Sequence, residues 1–430
     1  MGSKKRVQLL YSYTFITLLF LIIGFLVLTC GRDRFKKVNL SKEKVIPKQK
    51  VLLRPSTLTR KSSSEYKHIM YDGVVQSKKL EKTDDFLDQD AVWIVDPLAY
   101  NCEKELIPEI KKRLEKIPTP WKIIFLDFSD MGRDYGPCFY EIKNSLFKSG
   151  KYTFFARRAF YSEERNINFD ASDNEKTNFH DLGEYIDWDS YFVEDDSQEK
   201  LLGGLVQPLR YSIRSDFADA IFNITSTMGI TYLPDSYRRH GAIHFWNVKV
   251  DYDDPNKSST LRNMVTTAML ELAEENDMKN KGIHAYQVGT RENTGRRNVQ
   301  EGYLKTMLSH KIVVVSQRDY WEDHYRLMEA LASGALVLTD PMNPLPSWYQ
   351  DGVNIVVYRN LWQLKNYIRY YLNHESERLK IAKAGFELAM SKHRSSHNME
   401  RLVLGNWNLP NFGEFAQYGS IMDISTSTKN

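Results

Sequence analysis

The stretch DHYRLMEALASGALVLTD at residues 323–340 joins a helical pattern directly to a strand pattern. Arg326 and Glu329 are three residues apart and therefore share one helix face. Gly334 is placed to end the helix in a left-handed conformation, and the apolar run after it predicts a buried parallel strand. In such a unit the helix N-terminus faces the ligand cleft, where Arg326 can meet phosphate oxygens and Glu329 can accept both hydroxyls of a diol. The alternative is a surface Arg–Glu pair on a packing helix.

Apolar runs typical of strands alternate with helical patterns on both sides of this unit. One series begins near residue 90, and a second begins near residue 242. Two such series predict an α/β protein with two doubly wound, Rossmann-like domains at residues 86–238 and 239–404, followed by a tail at 405–430. The ligand is expected in the cleft between them. The predicted strands lie at residues 91–97, 121–130, 152–160, 242–250, 282–289, 311–316, 335–340 and 353–358.

The N-terminal region has a different character. Residues 7–29 are apolar and uncharged, and at about 1.5 Å per residue a helix of this length spans roughly 35 Å, enough to cross a bilayer. No small-residue cleavage site follows, which favours an uncleaved anchor in contact with membrane lipid, behind a cytosolic tail at residues 1–6. Residues 30–85 are rich in Lys, Ser and Thr and are predicted to be a stem. The expected protein is a single-pass type II membrane protein of the Golgi or the endoplasmic reticulum.

The net charge is divided unevenly along the chain. Residues 1–85 carry 18 Lys and Arg against 7 Asp and Glu, whereas the remaining residues carry 41 and 48. The basic character therefore belongs to the region beside the predicted membrane span, where lipid headgroups are anionic. A mildly acidic main body argues against a nucleic-acid partner.

Several well-known motifs are missing from the sequence, including G-x-G-x-x-G, the Walker A loop, H-E-x-x-H, C-x-x-C and G-x-S-x-G. Their absence argues against dinucleotide oxidoreductases, P-loop kinases, zinc proteases and common hydrolases. Residues 323–340 instead resemble the nucleotide-sugar-binding core of group-1 glycosyltransferases with the GT-B fold, in the spore-coat-type branch. The resemblance extends over roughly residues 282–404. The pattern R-x-x-E-A-x-A-x-G-x-x-x-x-T-D is matched by Arg326, Glu329, Ala330, Ala332, Gly334, Thr339 and Asp340.

This resemblance implies transfer of a sugar from a nucleotide-sugar donor to a glycan or glycoprotein acceptor. It also implies that no metal cofactor is needed, because cations and helix dipoles stabilise the leaving diphosphate. Many retaining members carry a further Glu eight residues before the position of Glu329, but here Trp321 occupies that position. The resemblance therefore leaves the stereochemical outcome open.

Other candidate residues come from the ends of predicted strands. The glycine-containing turn after the strand at 282–289 offers Gly289 and Arg291 as further donor ligands, with a solvated basic loop as the alternative. Asp127 and Asp130 follow a strand of the first domain and are the candidates for a base that deprotonates the acceptor hydroxyl. Their alternative role is in a helix cap or a turn.

Two other functions are compatible with the sequence. Asp251-Tyr252-Asp253 could be a D-x-D motif that holds Mn²⁺ or Mg²⁺ in a metal-dependent glycosyltransferase. Alternatively, the chain could be a membrane-tethered glycan-binding protein that has kept the fold without the activity. Loss of activity in EDTA would identify the first, and glycan binding without turnover would identify the second.

Overall fold

The computed structural model describes residues 47–53, 66–95, 102–117, 122–127, 152–157, 160–161, 206–208, 212–246, 260–285, 299, 301–317, 321–322, 325–342 and 348–404. No helix within these ranges is both long enough and apolar enough to cross a bilayer. The predicted anchor at 7–29 and the predicted tails at 1–6 and 405–430 lie outside the described residues.

The first sheet has six parallel strands in the order β2-β1-β3-β4-β5-β7. Its helical segments are a π-helical turn at Tyr66–Tyr71 that continues into α1 (Asp72–Val75), and another at Cys102–Leu106 that continues into α2 (Ile107–Lys116). The strands are β1 (Gln49–Leu53), β2 (Leu80–Thr83), β3 (Val92–Val95), β4 (Lys122–Asp127), β5 (Tyr152–Arg157) and β7 (Val206–Pro208).

The prediction of a stem over residues 30–85 is wrong for the described residues from 49 onward. Strand β1 lies between β2 and β3 in the interior of the sheet, and Val51, Leu52 and Leu53 are fully buried. The apolar part of β1 is only three residues long and is flanked by Lys and Arg. Such a short apolar run does not predict a buried strand from the sequence alone. The folded body therefore begins by residue 49 rather than at residue 86.

The second sheet has five parallel strands in the order β13-β12-β10-β8-β9, and each of them lies within or overlaps a strand of the second predicted series. Alternate residues of β10 enter two different cores: Ile312 and Val314 pack in one, and Val313 and Val315 pack in the other. Both faces of this sheet are therefore covered, which confirms a doubly wound arrangement. The strands are β8 (His240–His244), β9 (Ile283–Ala285), β10 (His310–Val315), β12 (Leu336–Thr339) and β13 (Val356–Val357).

Six helices are described in the second half of the chain, and all except the last of them pack against this sheet. They are α4 (Thr260–Glu274), α5 (Glu301–Leu308), α6 (Tyr325–Ala332), α7 (Leu361–Asn373), α8 (Glu375–Lys392) and α9 (Ser395–Leu404). Helix α3 (Ser215–Thr227) follows the first sheet, and two short strands, β6 (Phe160–Tyr161) and β11 (Trp321–Glu322), pair antiparallel. Trp321 therefore lies in β11, where it pairs with Tyr161.

Helix α9 returns to the first sheet although it belongs to the predicted 239–404 domain. Ser77 Oγ donates a 2.7 Å hydrogen bond to Glu400, and a Cβ at Gly73 would lie 2.7 Å from Met399 and 2.8 Å from the Ser395 carbonyl oxygen. Glycine at position 73 thus permits the close approach of α9 to α1. Both sheets lie within one compact unit, Lys48–Asn430, and the limits of the two domains within it stay a prediction.

Helix α6 ends as the sequence predicts. Its last residue is Ala332, and Gly334 has a φ of +74°, in the left-handed region. The Tyr232 hydroxyl donates to the Gly334 carbonyl oxygen at 2.7 Å. Arg238 donates to the Ser333 carbonyl oxygen, also at 2.7 Å. These bonds satisfy carbonyl groups that the end of a helix leaves without partners.

Replacing Gly334 with Ala is expected to destabilise the protein by about 2 kcal/mol or more, because it combines backbone strain with a steric clash. A Cβ there would lie 2.7 Å from the ring of Tyr232. Gly229→Ala is the matched control, since Gly229 has a φ of +65° and nothing within 4 Å of its Cβ position. Chemical denaturation of the two variants separates the clash from the strain. Equal destabilisation would show that the contact with Tyr232 is unimportant.

Candidate active site

Parallel strands of the second sheet end at one edge, and polar groups collect there. Strand β8 is followed by Phe245, β10 is followed by Ser316, and α6 begins at Tyr325 near the same edge. The carboxyl edge of an open parallel sheet is where α/β proteins bind their ligands. This is the edge at which the sequence predicted the site.

Glu329 lies in α6 and is only 2% exposed. The Tyr303 hydroxyl on α5 donates to its Oε2 at 2.7 Å. Burial raises the pKa of Glu329 to about 7, against the opposing effects of the Tyr303 hydrogen bond and of the charges on Arg214 and Arg326. The carboxyl group is therefore close to half-ionised at neutral pH. A group this deeply buried is not part of a surface pair, so that alternative for Glu329 is wrong.

Arg326 connects α6 to the end of β8. Its Nη1 donates to the Phe245 carbonyl oxygen at 2.9 Å. The guanidinium carbon lies 5.7 Å from the centre of the Phe245 ring and 5.9 Å from that of Tyr325. Contact with aromatic faces and with a carbonyl oxygen orients the planar guanidinium at the sheet edge. This is the location in which the sequence predicted a phosphate ligand.

A buried histidine that the sequence analysis did not single out lies beside these residues. His244 ends β8, and its Nδ1 lies 3.0 Å from Thr266 Oγ1 while its Nε2 lies 2.8 Å from Ser316 Oγ. Thr266 donates its own proton to the Trp246 carbonyl oxygen at 3.0 Å. Thr266 must therefore accept from His244 Nδ1, which leaves Nε2 to accept from Ser316. The sequence shows only a histidine inside a predicted strand, so no motif could have found it.

The electrostatic surroundings keep His244 neutral. Complete burial, followed by the charges of Arg326 and Arg262, holds the pKa of His244 well below its ordinary value. Arg262 Nε donates to the Ser316 carbonyl oxygen at 3.2 Å, and its guanidinium lies 5.1 Å from the centre of the Trp246 ring. Two arginines thus lie close to one neutral imidazole at the sheet edge. Such an arrangement favours an anionic ligand.

Asp340 fixes the loop that carries Ser316. It is fully buried, and its two carboxylate oxygens accept the backbone N–H of Gln317 at 3.0 and 3.1 Å. An aspartate in this position stabilises the turn after β10 because it satisfies a backbone donor that would otherwise be buried without a partner. This gives a structural reason for the Asp at the end of the 323–340 stretch.

Two charged residues from the first half of the chain, Arg214 and Asp216, act on Glu329. Arg214, the residue before α3, forms an ion pair at 2.6 Å with Asp216, which lies in the first turn of α3. His68 lies between two carboxylates, with Nδ1 3.2 Å from Asp72 and Nε2 3.4 Å from Asp216. The charge of Arg214 lowers the pKa of Glu329 and that of Asp216 raises it. The structure thus brings Arg214 and Asp216 within electrostatic range of Glu329, which the sequence pattern did not predict.

The remaining predicted site residues are described only in part or not at all. Asp127 is the last residue of β4 and pairs in register with Arg157, but its side chain is not described. Asp130, Gly289 and Arg291 lie outside the described residues, as do Asp251 and Asp253 of the alternative D-x-D motif. Within the described ranges, no group of three or more His, Cys, Asp or Glu side chains is arranged to hold a metal ion. The roles of these residues stay predictions.

Comparisons with known proteins give one family match, which covers part of the chain, and several similar solved structures. Residues 267–403 match the family model Glyco_trans_1_2, described as glycosyl transferase-like. No curated protein matches the chain. Solved structures similar to it include a glycosyltransferase from Rickettsia africae (TM-score 0.43, 10% identity, covering 84% of this chain and 100% of that one). Another is the sucrose-phosphate synthase of Thermosynechococcus elongatus (TM-score 0.34, 13% identity, covering 73% of this chain and 88% of that one). A third is the Anabaena protein HepE in complex with UDP (TM-score 0.37, 9% identity, covering 84% of this chain and 99% of that one).

Proposed function

We propose that this chain is a membrane-anchored glycosyltransferase, and the match of residues 267–403 to a glycosyl transferase-like family supports the transferase activity. It moves a sugar from a nucleotide-sugar donor to a glycan or glycoprotein acceptor. The observation that carries the proposal is the buried Glu329, held by Tyr303 at the ligand-binding edge of the sheet within the matched region. A buried carboxyl group of this kind, with a raised pKa, is typical of binding and active sites.

The donor is proposed to bind at the carboxyl edge of the second sheet. Arg326, at the beginning of α6, offsets charge on the leaving diphosphate, and the helix N-terminus adds backbone N–H groups and a favourable dipole. Glu329 accepts hydroxyl groups of the donor. We propose that this stabilisation makes a metal unnecessary, and that Gly289 and Arg291 extend the donor site.

The acceptor is proposed to approach from the first sheet. Strand β4 ends at Asp127, and the carboxyl end of a parallel strand faces the ligand cleft. Asp127 and Asp130 are therefore the proposed bases that deprotonate the acceptor hydroxyl if the reaction inverts the sugar configuration. Residues 7–29 are proposed to anchor the chain in the membrane of the Golgi or the endoplasmic reticulum, as a type II protein.

Replacing Glu329 with Ala is expected to weaken nucleotide-sugar binding at least tenfold without unfolding the protein. Binding weakens because the donor site loses its carboxyl group. The fold is kept because a carboxyl group that is buried with a raised pKa contributes little to stability. Isothermal titration calorimetry gives the affinity and thermal denaturation gives the stability. Glu387→Ala, at a mostly exposed position of α8, is the matched control and should change neither. Near-normal donor affinity in Glu329→Ala would contradict the assignment.

The proposal as a whole is tested by thermal unfolding of the full chain in detergent against a panel of nucleotide-sugars, first in EDTA and then with Mn²⁺. A ligand that binds only the native state raises the unfolding temperature. An increase with one nucleotide-sugar in EDTA supports the metal-independent transferase and identifies the donor class. An increase that requires Mn²⁺ supports the D-x-D alternative. No increase with any nucleotide-sugar, together with binding to a glycan array, supports a glycan-binding protein.

A further inference from the structure

Tyr303 is a buried residue of α5 to which the sequence pattern gives no role. It is 7% exposed, and its hydroxyl donates to Glu329 Oε2 at 2.7 Å. Its ring packs against that of Phe245, with centroids 5.0 Å apart and planes at 60°. Burial, followed by the charge of Glu329, raises the pKa of Tyr303 well above its ordinary value. The hydroxyl therefore keeps its proton and acts as a donor to the carboxylate.

The two oxygens of the Glu329 carboxyl group have different surroundings. Oε2 accepts from Tyr303, whereas no residue in the described part of the chain is hydrogen-bonded to Oε1. We propose that Tyr303 is a positioning residue for the donor: its hydroxyl holds Oε2 of Glu329, so that Oε1 receives a hydroxyl of a ligand diol. This inference rests on the proposed function, since the ligand is taken to be a nucleotide or its sugar. A carboxylate fixed through one oxygen presents the other in one direction, which is the general requirement for precise recognition.

The charge on Glu329 decides how well Oε1 can accept a hydroxyl. The ionisable groups that act on it are Tyr303 on α5, Arg214 and Asp216 at the start of α3, and Arg326 on α6. The protonated carboxyl group is a weaker acceptor than the carboxylate. Because the pKa of Glu329 is about 7, binding of a diol is expected to strengthen as the pH rises through this value.

The test is the variant Tyr303→Phe, which removes one hydroxyl and keeps the ring that packs against Phe245. The probes are UDP, GDP, ADP, their 2′-deoxy counterparts and the corresponding nucleotide-sugars, titrated between pH 6 and pH 8.5. The Tyr303 hydrogen bond lowers the pKa of Glu329, so its removal raises that pKa. We therefore expect about a tenfold loss of affinity at pH 7, and a pH midpoint of binding that moves upward.

Tyr349→Phe is the matched control. Tyr349 is 5% exposed, and its buried hydroxyl has no hydrogen-bond partner among the described residues. Removing this hydroxyl should leave both the affinity and the pH midpoint unchanged. Thermal denaturation of both variants confirms that each is folded under the conditions of the titration.

The substitution Glu329→Gln supplies a second test that does not depend on the stability of one variant. In that background Tyr303→Phe should cause no further change in the pH dependence, because the titrating group has been removed. Loss of discrimination between ribo- and 2′-deoxy nucleotides in Tyr303→Phe identifies the ribose as the diol. Loss confined to the nucleotide-sugars identifies the transferred sugar.

Three results would overturn the inference. Wild-type affinity and midpoint in a folded Tyr303→Phe variant would show that the hydroxyl has no part in binding. An affinity loss with an unchanged pH midpoint would show a purely structural role. If the wild-type protein binds none of the probes, the proposed function fails and this inference fails with it. This result is distinguishable from the first two, because the wild-type protein binds a probe in both of them.

Discussion

A chain that begins at residue 86 will fail to fold cooperatively, whereas a chain that begins at residue 47 will unfold near the midpoint of the full protein. The first truncation removes β1 and β2, and β1 is an interior strand between β2 and β3. It also removes Val51, Leu52 and Leu53, which are fully buried. Each of these side chains is worth about 1.5–3 kcal/mol of burial, and the total is comparable to the roughly 5–15 kcal/mol that stabilises a domain.

The measurement is thermal unfolding followed by circular dichroism for the full chain and both truncations. The truncation at residue 47 is the control, because it keeps the whole of the compact unit formed by residues 48–430. A sharp transition in the 86–430 chain, at the temperature of the full chain, would show that β1 and β2 are dispensable and that residues 30–85 are a stem after all.

Replacing Asp235 with Ala is expected to destabilise the protein by about 3–5 kcal/mol, because it leaves a buried guanidinium without its counter-ion. Arg378 is 1% exposed. It donates to both oxygens of Asp235, at 2.8 and 2.9 Å. Lys311 lies 3.3 Å from the same carboxylate but is more exposed. The pair joins α8 to the segment before β8, so its loss affects the packing of the second sheet.

Chemical denaturation gives the free energy of unfolding for this variant and for its controls. Glu301→Ala breaks an exposed pair with Lys305 and should have no measurable effect, since such pairs contribute little. The double variant Asp235→Leu with Arg378→Met should recover most of the lost stability, because neither charge remains buried. If Asp235→Ala is no more destabilising than Glu301→Ala, the buried pair does not stabilise the fold.

The part of the fold near residues 323–340 could be predicted because its signals are local. Helix α6, the left-handed Gly334 and the strand after it are all specified by neighbouring residues, and the structure confirms them. The second series of strands was predicted for the same reason. The apolar core of β1 is three residues long in a basic region, and only its pairing with β2 and β3 makes it a strand. A local pattern cannot show a long-range pairing.

The candidate site was predicted where a motif exists and missed where contacts are distant in sequence. Arg326 and Glu329 lie within the motif. Tyr303 meets Glu329 across 26 residues, and His244 meets Ser316 across 72. Nothing in the local sequence distinguishes these side chains from ordinary core residues. Their role follows from the parallel strands, which bring separate segments to one edge of the sheet.

The return of α9 to the first sheet has a consequence for synthesis on the ribosome. Ser77 and Glu400 are hydrogen-bonded although 323 residues separate them, and Met399 is fully buried. At about 5–20 residues per second, residues 70–80 leave the ribosome roughly 15 to 65 seconds before the helix that covers them is made. The buried face of α1 therefore stays uncovered for that period, until α9 emerges.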